Sequence, residues 1–452
     1  MLPEGFLVRM RKLLGGEYDE FISALSREAV RGMRVNLIKA NTEEFLKDCP
    51  FELGKIPYCE NGFILESDEA VGKSAEHHAG MIYMQDPGAM ATLSALDIDP
   101  EWSVADLCAA PGGKSSQIAE RLRGGFLLSN EYVPKRAKIL VQNLERLGAR
   151  RAVVTSLDTG RLCEFYRHAF DLVVADAPCS GEGMFRKSDA AIEDWSEENI
   201  KASAKRQGEI LENAAVMVKS GGYLIYSTCT YAPEENELTV AAFLRAHPEF
   251  RLVPVKDELE GATRPAIATL APDIENMCYA RRCYPHITEG EGQFVALMQR
   301  DNDGIEPKLD FKDSAKAPTR EEVAAVQAFF KENLVDMPEA EIKKVGMSLC
   351  LIPHGCAVLP HSVFMSGVLI GEVRGKLLFP SHQLFSAYGE LFLHRVELTR
   401  ESAERYLYGE EIDAPEGIGG WCALFYRGAA LGGGKASFGK IKNHYPKGLR
   451  NK

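Results

Sequence analysis

At 452 residues, with 45% hydrophobic and 26% charged side chains, the chain has an ordinary globular composition and length enough for about two or three domains. No apolar run reaches membrane-spanning length, no signal peptide opens the chain, and its 11 cysteines lack CxxC spacing, which argues against a membrane protein, a disulfide framework and a structural zinc site. A reducing, cytoplasmic setting, no metal and a monomer are expected. The net charge of −12 speaks against a nucleic-acid partner, yet two acid-free basic stretches, Arg31–Lys39 and the five-lysine segment Lys435–Lys452, run against that balance.

Taken in chain order, helical patterns over 7–14 and 18–26 precede extended stretches at 33–38 and 62–66. They predict a small α/β unit over residues 1–70. From Asp68 to about Arg300, strand and helix alternate. Strands are expected at 103–107, 125–130, 152–155, 171–175, 223–227 and 293–298, and helices at 115–122, 134–147, 199–218 and 233–246. Alternation of this kind predicts a doubly wound parallel sheet over 71–300. Residues 301–318 are polar and read as a linker. Beyond it, a helix at 319–332 and strand-like runs at 348–352, 357–359, 367–373, 376–379, 421–426 and 427–431 predict a β-rich region over 319–452.

Three stretches carry chemistry. The first is Asp106-Leu107-Cys108-Ala109-Ala110-Pro111-Gly112-Gly113-Lys114, a strand-to-helix turn whose small residues let the backbone approach a ligand. The following helix offers free N–H groups to an anionic group. A P-loop is excluded because position 108 is Cys where that motif needs Gly, and the G-x-G-x-x-G fingerprint is absent. Glu131 and Asp158 follow the next two strands, and an acid after the second strand commonly holds ribose hydroxyls. A plain turn flanked by solvated acids is the bland alternative.

The other two stretches, Asp176-Ala177-Pro178-Cys179-Ser180 and Ser227-Thr228-Cys229-Thr230, each place a cysteine just past an apolar strand. A lone cysteine there is usually a small buried hydrophobe, as Cys108 is expected to be unless it lines the cofactor loop. Two such thiols with Asp176 beside a nucleotide-type loop instead suggest methyl transfer to a pyrimidine carbon. A thiolate adds to electron-poor C6 of cytosine, C5 then accepts an electrophilic methyl group, and an acid steadies the ring at N3 or the 4-amino group. The site must favour ionisation of the attacking thiol or supply a base. The residues alone do not decide which thiol attacks.

Together these motifs resemble the NOL/NOP/Sun family of RNA cytosine-5 methyltransferases. The matching residues are Asp106–Lys114; Asp176–Gly181 with Gly183; and Ser227–Thr230 with Pro233-Glu234-Glu235-Asn236. Arg34-Val35-Asn36 and Tyr83-Met84-Gln85-Asp86 add support. The resemblance implies a Rossmann-like methyltransferase domain using S-adenosylmethionine, with residues Cys108, Ala109, Ala110, Pro111, Gly112, Gly113 and Lys114 cradling the amino-acid part of the cofactor. It implies Glu131 on the ribose, Asp158 facing the adenine, and Asp176 between cofactor and base. It makes Cys229 the nucleophile, assigns product release to Cys179, and adds Lys187 to the site. The alternative for Lys114 is a solvated lysine at a helix start.

Phe379-Pro380-Ser381-His382, Leu431-Gly432 and the ending Asn443-His444-Tyr445-Pro446-Lys447-Gly448-Leu449-Arg450 resemble the RsmF-like small-subunit group, whose C-terminal part includes a PUA-like RNA-binding module. RNA contacts are expected from Arg31 and Arg34 in the N-terminal unit and from Lys435, Lys440, Lys442, Lys447 and Arg450. The expected function is methylation of C5 of cytosine in 16S ribosomal RNA, naked or in the assembled subunit. The same chemistry on transfer RNA, and a catalytically inactive ribosome assembly factor, are the alternatives.

Overall fold

The computed structural model describes residues 1–66, 70–354 and 356–451. Asp68, expected to open the alternating region, and Lys452 lie outside the described residues. The N-terminal unit forms a four-stranded antiparallel sheet of β1 (Arg31–Val35), β2 (Leu53–Lys55), β3 (Gly62–Leu65) and β4 (Ile82–Met84), in the order β2-β3-β1-β4. Because β4 pairs with β1, this unit runs past the expected boundary at residue 70. Helices Glu4–Leu14 and Tyr18–Leu25 do not cover this sheet. Phe6 and Phe21 pack edge-on against Phe185 and Tyr231, each at 5.1 Å, so the first helices brace loops of the next domain.

That domain is built on β5 (Ser103–Asp106), β6 (Phe126–Asn130), β7 (Ala152–Thr155), β8 (Phe170–Asp176) and β9 (Val218–Thr228). All five are parallel and lie in the order β9-β8-β5-β6-β7. Leu172, Val173, Val174 and Ala175 of β8 are wholly buried, as a strand covered on both faces requires. The strand order reverses between β5 and β8, and ligands in open α/β sheets bind at that switch point, outside the carboxyl ends. The expectation of an all-parallel sheet needs correction at its edges. Strand β10 (Gln293–Arg300) pairs antiparallel with β9, and Val363–Ser366 from the C-terminal region pairs antiparallel with β7.

Residues 301–318 are docked, although their polarity read as a linker. Phe311 sits 5.1 Å from the ring of Tyr166, Lys308–Leu309 pairs with Tyr166–Arg167, and Ser314 bonds to the Leu359 carbonyl. The C-terminal region carries a helix at Arg320–Asn333, a four-stranded sheet and a five-stranded sheet. The run 357–359 is not a strand; Val358 and Leu359 are instead core residues.

Arg34, read as an RNA contact, is 1% exposed. Its Nε donates to Gln85 and its terminal nitrogens to Glu120 and Ser116, all at 2.7 Å, and to the Gly113 carbonyl at 3.2 Å. The guanidinium therefore fastens the N-terminal sheet to the helix that follows the cofactor loop, and it cannot reach RNA phosphates. Removing one partner of a buried ion pair strands the other charge and costs about 3–5 kcal/mol. Arg34→Ala should lower the unfolding free energy by about 3–5 kcal/mol, read as a lower denaturant midpoint at unchanged slope.

Candidate active site

Residues Asp106–Lys114 join β5 to the helix Gly113–Ala119. Gly112 adopts φ +117°, a conformation that L side chains rarely take, and a Cβ there would lie 3.1 Å from Leu140. The turn lines a cavity of about 270 Å³ that is shared with Gln85, Asp176, Cys229, Glu291 and Gln293. Lys114 is buried, and its Nζ donates to Asp176 Oδ2 at 2.7 Å, so it is not a solvated lysine. Ser227 Oγ and Gln293 Nε2 hold Asp176 Oδ1 at 2.7 and 3.3 Å. These three donors aim the carboxylate along the cavity wall.

The two thiols meet because β8 and β9 are parallel neighbours in register, with Asp176 beside Ser227. Cys179 leaves one strand and Cys229 the other at the same edge, and their sulfur atoms lie 3.2 Å apart. The Cys179 loop is clamped from below. Glu235 Oε2 accepts the Ser180 N–H at 2.9 Å, the Ser180 hydroxyl bonds Glu235 Oε1, and Gln207 Nε2 bridges Glu235 and the Pro178 carbonyl. Asn236 ties Thr228 to the Thr230 carbonyl. Gly183 donates to the Cys229 carbonyl at 2.9 Å, and a Cβ at this position would lie 2.8 Å from that oxygen. The Pro-Glu-Glu-Asn run thus has a physical role that its sequence did not disclose: it fixes both cysteine loops.

The hydrogen bond to Cys229, then burial, push the Cys179 thiol well above its ordinary value. Cys179 is therefore held as a thiol and can donate to Cys229. Burial, followed by the charges of Asp106, Asp176 and Glu131, also drives Cys108 upward, and it lies in the loop as a neutral thiol.

The remaining expected residues divide into three groups. Lys187 stands at the cavity rim, paired with Asp86 and 3.7 Å from Glu291. Glu131 follows β6, accepts the Val133 N–H at 2.9 Å and pairs with Arg136. Asp158 is exposed beyond β7 and caps Gly160. Neither Glu131 nor Asp158 lines the cavity; they follow the neighbouring strands β6 and β7 at the same edge of the sheet. Lys435, Lys440 and Lys442 lie on a five-stranded sheet far along the chain, with Lys435 directly opposite Lys442. Lys440 pairs with Asp413, and Arg450 bonds the Tyr445 carbonyl. Lys447 is exposed in the short turn that follows. Asp86, Glu291 and Gln293 were missed as site residues because they approach from β4 and β10; the nearby Tyr-Met-Gln-Asp run was the one signal for Asp86.

A parallel-sheet switch point with a glycine turn, an acid at each strand end and paired thiols defines an S-adenosylmethionine-dependent methyltransferase. The model for 16S rRNA methyltransferase RsmB/F matches residues 93–299, that for the N-terminal domain of RsmF residues 2–87, and that for the RsmF PUA domain residues 393–451. The chain is 32% identical to ribosomal RNA small subunit methyltransferase F of Klebsiella pneumoniae, over 99% of this chain and 96% of that protein. It is 31% identical to the protein of that name from Vibrio parahaemolyticus, over 99% and 97%. A methyltransferase homologue solved from Pyrococcus horikoshii is 29% identical, with a TM-score of 0.58 over 66% of this chain and 95% of that one. NSun6 from the same organism, solved with SFG, is 19% identical with a TM-score of 0.57 over 67% and 99%, and shows the fold alone. The chain belongs to the RsmB/F family of methyltransferases.

The cavity suits a cationic ligand. Asp106 Oδ2 accepts from Ser115 at 2.7 Å, but Oδ1 is buried without a hydrogen-bond partner. Burial, opposed by the Ser115 bond and reinforced by Asp176, raises the Asp106 carboxyl to about 7. A positively charged ligand favours the ionised carboxylate, so binding should release a proton when it begins from the acid form. Cofactor affinity, measured by calorimetry, should rise by up to about tenfold in total between pH 6 and 8, with most of the gain below pH 7. Asp106→Asn should bind more weakly and lose most of that dependence.

Proposed function

We propose that this protein methylates C5 of cytosine in small-subunit ribosomal RNA through a covalent bond between Cys229 and C6. The observation that carries the reading is the pair of thiols 3.2 Å apart, with Cys229 lining the same cavity as the oriented Asp176 and Cys179 lining the neighbouring cleft beside Ser180 and Met184. The names of the relatives and the matched PUA domain support ribosomal RNA as the substrate. Reaction at C5 and C6 needs access to the ring, so the target cytosine must be unpaired or extruded.

Bound S-adenosylmethionine supplies an electrophilic methyl group. Its amino-acid end fits the 108–114 loop and the unpartnered Asp106 oxygen, its ribose Glu131, and its adenine the edge near Asp158. Asp176 accepts a hydrogen bond from the 4-amino group. Cys229 Sγ, having lost its proton, bonds C6 with its own electron pair while the C5=C6 π pair moves to C5; C5 would then bond the methyl carbon, and the cofactor's sulfur would keep the pair of the broken S–CH3 bond. With Cys229 bound to carbon, Cys179 loses the interaction that contributes most to keeping it a thiol. It can then ionise, take the C5 proton and let the S–C6 bond break. Lys187, held by Asp86 at the rim, is placed to meet the nucleotide's phosphate.

The C-terminal sheet supports an RNA contact in its own right. Like charges directly opposite each other destabilise a strand pair, yet Lys435 faces Lys442 on exposed positions, with His444 pushed down first by burial and then by both lysines. A phosphate ligand relieves that repulsion. Lys440, Lys447 and Arg450 follow the same surface, and Arg31 serves at the N-terminal unit.

Bisulfite sequencing of small-subunit RNA from a deletion strain should reveal a cytosine that loses its methyl group. Wild-type protein should restore it and Cys229→Ala should not; a full methylation pattern in the deletion strain refutes the reading. With purified protein, Cys179→Ala should accumulate a protein–RNA band on denaturing gels, because attack proceeds and release stalls. Cys229→Ala should give no such band, and the reverse pattern would exchange the two roles.

A further inference from the structure

A cavity of about 360 Å³ opens at the seam between the N-terminal unit and the methyltransferase sheet. Leu37 and Ile38 of the N-terminal unit and Arg123, Arg150 and Arg151 of the methyltransferase domain line it. Arg123 and Arg151 immediately precede or flank the starts of β6 and β7, so the cavity lies at the amino ends of the strands, across the sheet from the active site. Five residues of β6 at about 3.3 Å each put the two edges about 16 Å apart.

The arginines are held in place before any ligand arrives. Arg151 Nε donates to the Gly125 carbonyl at 2.6 Å and its terminal nitrogen to that of Gly124. Arg123 donates to the carbonyls of Glu120 and Leu122, both at 2.9 Å. Arg150 bonds the Ala387 carbonyl at 2.6 Å, stacks 4.3 Å from the Tyr388 ring and pairs with Glu390. Among the described residues, Arg123 and Arg151 form no ion pair; Glu101 packs over Gly124 without pairing with either. Two guanidiniums without an ion-pair partner among the described residues share one concavity, and each keeps N–H donors beyond its bonds to backbone carbonyls. In a chain of net charge −12, such local positive charge has to be maintained against the overall field.

We propose that this cleft binds the phosphodiester backbone of the substrate RNA, at a point remote from the target cytosine. The inference rests on the reading of the protein as an RNA methyltransferase. Arginine forks match phosphate oxygens, and guanidiniums tethered to backbone carbonyls lose little freedom on binding. The separation of the two edges means that a single nucleotide cannot fill both sites. The cleft therefore senses an extended or folded RNA and adds affinity without touching the chemistry.

The test uses the full chain and naked small-subunit ribosomal RNA titrated at several salt concentrations. Each phosphate contact contributes about 0.7–0.9 to the slope of log affinity against log salt. Arg123→Gln should flatten the slope by about that amount, and Arg123→Gln with Arg151→Gln by about twice as much, with affinity down roughly tenfold at moderate salt. Cofactor affinity and turnover at saturating RNA should stay at the wild-type values. Arg123 is exposed, so its single variant carries the test if loss of Arg151 disturbs the loop at Gly124. Wild-type affinity and slope in both variants overturn the proposal. A defect confined to protein-bearing ribosomal particles also overturns it, and assigns the cleft to an acidic protein surface. Binding is read without methylation, so an inactive wild-type protein would count against the proposed reaction while leaving this comparison intact.

Discussion

The parallel register between Phe170–Asp176 and Val218–Thr228 is the constraint on which the chemistry depends. With Asp176 beside Ser227, two loops that leave neighbouring strands at one edge deliver their thiols to contact distance. The same pairing lets the Ser227 hydroxyl orient Asp176, which in turn holds Lys114. A slip of one residue would reverse which side chains face the cavity and separate the sulfur atoms. Burial on both faces prevents that slip. Ile225 and Tyr226, which point to opposite faces, are both fully covered.

Around that pair of strands, the flanking units act as braces. The first two helices press Phe6 and Phe21 against Phe185 and Tyr231, which follow the Cys179 and Cys229 loops in sequence. Arg34 ties the N-terminal sheet to the helix of the cofactor loop through Glu120 and Ser116. Lys39 reaches from the same unit to the carbonyls of Ser386 and Ala430 in the C-terminal region. Burial and the neighbouring arginines hold its ammonium down, to about 7, against the opposing pull of Glu390. The units therefore meet through hydrogen-bonded basic side chains, Arg34 on one side and Lys39 on the other.

Those connections explain what could be read in the chain and what could not. Central strands announce themselves as continuous apolar runs, so Leu172–Ala175 and Tyr223–Tyr226 stand out, and the chemistry at their ends follows from position. Charge alone does not reveal burial, and Arg34 therefore read as part of a basic patch when Glu120, 86 residues away, neutralises it. Residues 301–318 read as a linker because they are anchored mainly by hydrogen bonds, from Asp310, Ser314 and Lys316, with Phe311 as the aromatic contact, and such bonds leave no apolar pattern. Val363–Ser366 gave no signal, since its partner strand belongs to another domain and only tertiary pairing makes it a strand. Glu291 and Gln293 were hidden for the same reason, whereas Asp86 stood in the Tyr83-Met84-Gln85-Asp86 run that marked the family without disclosing its place in the site.

The central claim is that Cys229, and not its neighbour, bonds the base. RNA carrying 5-fluorocytidine at the target position offers no C5 proton to remove, so a covalent complex with the wild-type protein cannot resolve. Mass spectrometry of the digested complex should place the nucleotide on the peptide containing Cys229. Its appearance on the peptide containing Cys179, or the absence of any linked peptide while unmodified RNA is methylated normally, would contradict the account.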